Sequence, residues 1–177
     1  FLWAFYSVKA KSIFFFNASN PSMKNGGFIM ASKKEIYNLI PQQYYPITEL
    51  IKEGTSLEEI KTTIEEAFIQ YPCIAKPDIG LRGSGVKKIN TVQDLEQYVV
   101  RANFDFVVQN LIPFQNEVGI FYVRYPNEKK GKITGIVPKE FLIVTGNGVA
   151  TVEELIKVNP CYELQLKVLK QEYGNTL

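Results

Sequence analysis

Apolar residues recur at helical spacing in three stretches, each opened by a hydroxyl residue three places before a carboxylate. Ser56-Leu-Glu-Glu59 opens a run that places Leu57, Ile60, Ile64 and Phe68 on one face. In such a capping box the hydroxyl accepts from the backbone N–H three residues on, and the carboxylate reaches back to the cap. The pattern predicts a helix from Ser56 to about Gln70. Thr91-Val-Gln-Asp94, followed by Leu95, Tyr98 and Val99, starts a second, and Thr151-Val-Glu-Glu154, followed by Leu155 and Ile156, a third. Ser32 to Ile40 also reads as helical, with Pro41 ending it.

Between these helices the period falls to two or to short apolar runs, which predicts strands at Pro46 to Ile51, Cys73 to Lys76, Val86 to Ile89 and Phe104 to Gln109. Pro77, with no N–H to give a ladder, closes the second of these. Val118 to Arg124 and Lys132 to Val137 are two longer strands joined by the polar turn Tyr125 to Gly131. Phe141 to Val144 is expected to continue them, before Thr145-Gly-Asn-Gly148 turns the chain into the third helix. The class is therefore α+β, with mostly antiparallel sheets, flanking helices and no internal repeat.

Composition narrows the chemistry. The 177 residues are 46% hydrophobic and carry a net charge of +2, with no histidine. A Ser-His-Asp triad, a Cys-His pair and a His-ligated zinc or haem all need an imidazole, so none can be built from this chain. What remains is Lys, Arg, carboxylates and backbone N–H groups, the equipment for holding phosphate. A balance of 20 Lys plus Arg against 18 Asp plus Glu is no basic field of the kind that nucleic acid attracts. Cys73 and Cys161 are far apart with no CxxC, and read as buried thiols of a cytoplasmic protein. The aromatic start Phe1 to Tyr6 is broken by Lys9 and Lys11, well short of the roughly 18 apolar residues of a membrane span. It reads as a packing element within a segment covering 1–30.

The most informative stretch is Ile74-Ala-Lys-Pro-Asp-Ile-Gly-Leu-Arg-Gly-Ser-Gly-Val-Lys-Lys-Ile89. Gly80, Gly83 and Gly85 fall within six residues, beside Lys76, Arg82 and Ser84. Successive N–H groups in such a loop can form an anion nest, and glycine lets backbone approach phosphate without a Cβ in the way. It is not a Walker A loop, because Val86 and Lys87 occupy the positions of its Lys and hydroxyl, nor a dinucleotide fingerprint, because no helix follows. The glycines join two strands, as a flap able to fold over a nucleotide or as a plain surface hairpin. A protein kinase also joins two strands with glycines, but H-R-D and D-F-G are absent.

Strand-Lys76, glycine hairpin, capped helix, strand, Val107-Val-Gln-Asn-Leu-Ile112 and Glu117 together resemble the central part of the ATP-grasp fold. That fold is shared by D-alanine:D-alanine ligases, glutathione synthetases, cyanophycin synthetases and related carboxylate-amine ligases. Ser32-Lys33, a helix and Tyr45-Pro-Ile-Thr48 resemble the family's opening unit. Val144 to Ile156, with Gly146 and Gly148 before a capped helix, resembles the cyanophycin-synthetase branch. The likeness runs from about Ser32 to Ile156, within a nucleotide-binding region placed at 31–157. Its flap-bearing lobe covers 52–103, and 158–177 forms a C-terminal helix or tail.

The resemblance implies ATP binding for a carboxylate-amine or carboxylate-thiol ligase that works through an acyl phosphate. Lys33 and Lys76 would reach from two lobe strands to the α- and β-phosphates. Gly83, Ser84 and Gly85 would cover the triphosphate, and Gln109, Asn110, Leu111 and Ile112 would form the hinge under adenine. Relatives often carry Glu where Gln109 stands. Glu117 would accept from ribose hydroxyls, and Arg82, Arg124 and Lys139 could hold a substrate carboxylate or acyl phosphate. Phosphoryl transfer also needs magnesium. The family's late Asp and Glu-x-Asn ligands have no match here, since Glu172-Tyr-Gly-Asn175 has one residue too many. No catalytic or metal residue is therefore assigned. With no Met at Phe1, the chain is expected to be a piece of a longer protein and inactive as a ligase by itself. A non-catalytic nucleotide-binding module, or an interaction domain using Phe1 to Phe16, are the other readings. Beyond nucleotide and the unknown carboxylate and amine, partners are expected to be at most a second copy, with neither nucleic acid nor membrane.

Overall fold

The computed structural model describes residues 1–27, 31–80 and 83–174. The chain divides into two compact units, Phe1–Pro113 and Phe114–Leu177.

In the first unit, helix α1 (Leu2–Ala10) leads through two 3₁₀ turns to α2 (Lys33–Asn38), β1 (Thr48–Ile51), α3 (Leu57–Glu66), β2 (Cys73–Pro77), β3 (Lys87–Ile89), α4 (Val92–Arg101) and β4 (Phe106–Asn110). The four strands form one antiparallel sheet in the order β1-β4-β2-β3. From β1 onward this is a β-α-β-β-α-β unit in which β4 lies between β1 and β2, a split β-α-β.

Both helices of the unit start where the capping boxes predict. Ser56 and Thr91 each accept from the N–H three residues on, and Glu59 and Asp94 return the bond. Helix α3 stops at Glu66, short of Gln70, because Phe68 turns left-handed at φ 57°. The helices bury Ile60, Ile64 and Leu95 against Ile51, Cys73, Ala75, Ile89, Phe106 and Val108 of the sheet. Each such aliphatic side chain contributes roughly 1.5–3 kcal/mol on burial.

Because side chains alternate along a strand, that core commits the other face. Cys73 and Ala75 face the helices, so Ile74 and Lys76 face away; Phe106 and Val108 do likewise, leaving Val107 and Gln109. Pro77 does not end the ladder before itself, since it is the last residue of β2 and sits opposite Phe106.

The aromatic start forms its own cluster. Trp3 lies 5.2 Å from both Phe15 and Phe16, yet Phe1, Phe5 and Phe14 remain largely exposed.

In the second unit, β5 (Glu117–Val123) and β6 (Lys132–Lys139) pair antiparallel with a register shift at Phe121/Tyr122. Residues 141–144 do not extend this ladder. Helix α5 (Val152–Lys157) carries the third capping box, with Thr151 and Glu154. Two helices follow, α6 (Pro160–Glu163) and α7 (Leu166–Tyr173). Cys73 is buried as expected, whereas Cys161 at the start of α6 is exposed. No helix among the described residues is long and apolar enough to cross a membrane.

Candidate functional site

The face of the first sheet that turns away from its core is where the lysines meet. Lys76 projects from β2 and is placed by register opposite Val107, two residues before Gln109 on the same face of β4; Gln109 lies opposite Ile74 and Thr48. Its ammonium donates to the Tyr37 hydroxyl at 3.0 Å and sits 5.4 Å from the centre of that ring. The same hydroxyl lies 3.5 Å from Gln109 Oε1. Tyr37 is held in turn by Tyr45, whose ring stacks on it at 4.8 Å and 4°.

Lys33 differs from expectation. It is the first residue of α2, not a strand residue, because Ser32 caps the helix by accepting from Glu35 N–H. Its ammonium donates to the carbonyls of Pro77 at 2.6 Å, Asp78 at 3.0 Å and Gly80 at 3.4 Å. Lys33 thus closes the base of the glycine hairpin from across the sheet edge. Burial holds its pKa below the usual lysine value, the nearby Lys76 charge lowers it further, and Asp78 offsets part of this.

Asp78 is the organising residue that the sequence pattern did not single out. It is 5% exposed. Its carboxylate accepts from Lys34 N–H at 3.0 Å and its carbonyl from Lys33 N–H at 3.1 Å, while its own N–H donates to the Asp105 carbonyl. A buried carboxylate needs such partners, and here they fix α2 against the end of β2. Its position just after Lys76-Pro77 was the available signal. Tyr37, four residues after Lys33 and so on the same helix face, was another.

The hairpin itself is built on two left-handed glycines, Gly83 at φ 78° and Gly85 at φ 71°. The Val86 N–H closes the turn on the Gly83 carbonyl at 3.1 Å. Tyr98 on α4 donates to the Gly85 carbonyl at 2.9 Å, and burial pushes its phenol up to about 12. On that α4 side lies a groove of about 380 Å³ lined by Lys87, Tyr98, Arg101 and Phe104, which includes neither Lys33, Lys76 nor Gln109. Arg82 lies outside the described residues, as do Asn175 and the Glu172 side chain.

Comparison with known proteins decides the fold. No family model matches the chain. Over 114 residues, 60% of its length, it is 27% identical to formate-dependent phosphoribosylglycinamide formyltransferase of Flavobacterium psychrophilum, covering 29% of that protein. The crystal structure of the ADP complex of purK, N5-carboxyaminoimidazole ribonucleotide synthetase, aligns with 81% of this chain at a TM-score of 0.51 and 20% identity. The fold is the ATP-grasp fold. The chain spans about 29% of the curated relative and 38% of the solved structure.

Within this ATP-grasp fold the first unit brings Lys33, Lys76 and Gln109 together. Ser84 is exposed in the hairpin, and Leu111 and Ile112 follow β4. Asn110 is oriented differently: its side-chain carbonyl accepts from Gln70 N–H at 3.1 Å, tying β4 to the segment after α3. In the second unit Glu117 and Lys139 stand opposite each other at the ends of the hairpin and form an ion pair, with the ammonium 2.9 Å from both carboxylate oxygens. Lys139 also lies 5.6 Å from the Phe141 ring centre. Arg124 is exposed just past β5.

Among the described residues no group of three or more acidic, His or Cys side chains could hold a metal, and magnesium at a nucleotide site needs only one or two carboxylates beside the phosphates. No step is assigned to a metal bound by this chain.

Proposed function

We propose that this chain supplies the nucleotide-binding part of an ATP-grasp ligase, which joins a carboxylate to an amine or thiol through an acyl phosphate. The observation that carries the reading is the convergence of Lys76, on the outer face of β2, with Lys33, which reaches from α2 to the foot of the glycine hairpin, and with Gln109 on the same face of β4. Two ammonium groups suit a polyphosphate, for which lysine serves as a point charge. The purK structure, an ADP complex, supports adenine nucleotide as the ligand.

In this scheme Lys76 neutralises the phosphates, and Lys33 joins it by exchanging its contacts with the Pro77, Asp78 and Gly80 carbonyls for ligand contacts. The N–H groups of Gly83 to Gly85 cover the phosphates, and the segment Gln109 to Ile112 lies under the base. In the complete enzyme a substrate carboxylate oxygen bonds to the γ-phosphorus while the bond to the β-phosphate oxygen breaks, releasing ADP. The amine or thiol then displaces phosphate from the acyl group. Glu117 is proposed for the ribose hydroxyls, and Arg82, Arg124 and Lys139 for substrate anions. For Glu117 and Lys139 this requires exchanging their mutual ion pair for ligand contacts.

Isothermal titration with MgATP tests the reading. The intact chain should bind, and Lys76→Ala should weaken binding by roughly tenfold or more, the loss of a charge-assisted contact of about 1.5–3 kcal/mol. No binding, or equal binding by the variant, would refute it.

A further inference from the structure

We propose that Tyr37 is a positioning residue that aims the Lys76 ammonium while leaving its charge unspent. The inference rests on the nucleotide reading for its purpose, and on the contacts of Tyr37 for its geometry.

A lysine ammonium sits on a flexible four-carbon stem, and free rotation of that stem costs a ligand affinity when it must be frozen. A carboxylate can hold the stem, but it also cancels the charge. Lys34, Lys52 and Lys139 are held that way, by Glu49, Asp105 and Glu117. Lys76 instead has a phenol oxygen at 3.0 Å, and with the ring centre 5.4 Å away its ammonium lies beyond the hydroxyl, off the ring edge. The oxygen attracts the cation through its lone pair and carries no formal charge. The ammonium is aimed and remains available to an anion.

The phenol is itself fixed. Its ring is stacked flat on Tyr45, and its helix is locked to the end of β2 through Lys33 and Asp78. A hydroxyl that accepts from an ammonium has one proton left to direct, and Gln109 Oε1, at 3.5 Å, is a long-range acceptor for it. Tyr37 therefore touches both the cation and Gln109, the first residue of the proposed base segment.

Tyr37→Phe keeps the stack on Tyr45 and removes only the hydroxyl. ATP affinity should fall about fivefold, the worth of one hydrogen bond, and adenosine affinity by clearly less, because adenosine offers Lys76 no phosphate and senses only the long Gln109 contact. The Lys76 side-chain ammonium resonance, followed by ¹⁵N NMR in the ligand-free full chain, should shift and broaden in the variant. Equal losses for ATP and adenosine would indicate a merely structural role and overturn the inference. An unchanged ammonium resonance would overturn it whether or not nucleotide binds. If the wild-type chain binds no ATP but the resonance moves in Tyr37→Phe, the positioning stands and the nucleotide reading fails.

Discussion

Gly83 and Gly85 are two residues apart, both left-handed, and differ in surroundings, so one substitution in each separates backbone strain from packing. At Gly83 an added Cβ meets no described atom within 4 Å, whereas at Gly85 it falls 2.8 Å from Pro77 Cγ and 3.2 Å from Cδ. Left-handed backbone costs a non-glycine residue roughly 1–2 kcal/mol. Reduced freedom of the unfolded chain returns about 0.4–1 kcal/mol. Gly83→Ala should therefore destabilise by about 1 kcal/mol.

Gly85→Ala adds an overlap that Pro77 cannot relieve, because its ring is rigid, its strand pairs with Phe106 and its carbonyl is held by Lys33. Overpacking of this kind typically costs 1–3 kcal/mol, for a total of about 2–4 kcal/mol. With a urea slope near 2 kcal/mol/M, the midpoint should drop by about 0.5 M for Gly83→Ala and about 1–2 M for Gly85→Ala. Equal midpoints for the two variants would refute the role assigned to Pro77. If the loop also covers phosphate, Gly83→Ala should weaken MgATP binding by more than its small stability loss explains.

Three further outcomes follow from charge and exposure. A thiol reagent at pH 8 should modify Cys161 quickly in the native chain, while Cys73, buried and pushed up to about 11, should react only on unfolding; two fast equivalents would contradict this. Lys33 titrates below its unfolded value, so its protonated form opposes folding, and this small penalty should fade as pH rises through the folded pKa towards the unfolded one. Removing the Lys76 charge with Lys76→Met should raise the Lys33 pKa, as measured by NMR of its side chain, and an unmoved titration would show that the two ammonium groups do not interact.

The helix starts were legible because a capping box is a local device: Ser56, Thr91 and Thr151 each find their partners within three residues, and all three form as the pattern predicts. The alternation of β2 and β4 was equally local, and it placed Lys76 on a strand next to a glycine hairpin. The likeness to ATP-grasp proteins came from the order of these pieces along the chain. The end of α3 was less legible, since the left-handed turn at Phe68 is dictated by no residue preference visible at that position.

What the chain order could not convey is which groups satisfy one another across 40 residues or more. Lys33 looked like a free phosphate ligand, yet folding delivers it to the carbonyls at the foot of the hairpin, 44 to 47 positions away. Tyr37 was marked only by sharing a helix face with Lys33, and became a neighbour of Lys76 and Gln109 once α2 lay against the sheet. The sequence by itself determined the local elements and the stock of charged and glycine residues, because capping, alternation and glycine freedom act over a few residues. Only the tertiary structure decided which lysines are neutralised by carboxylates and which are held by neutral oxygen, because a hydrogen bond requires distances near 3 Å that only the folded chain sets.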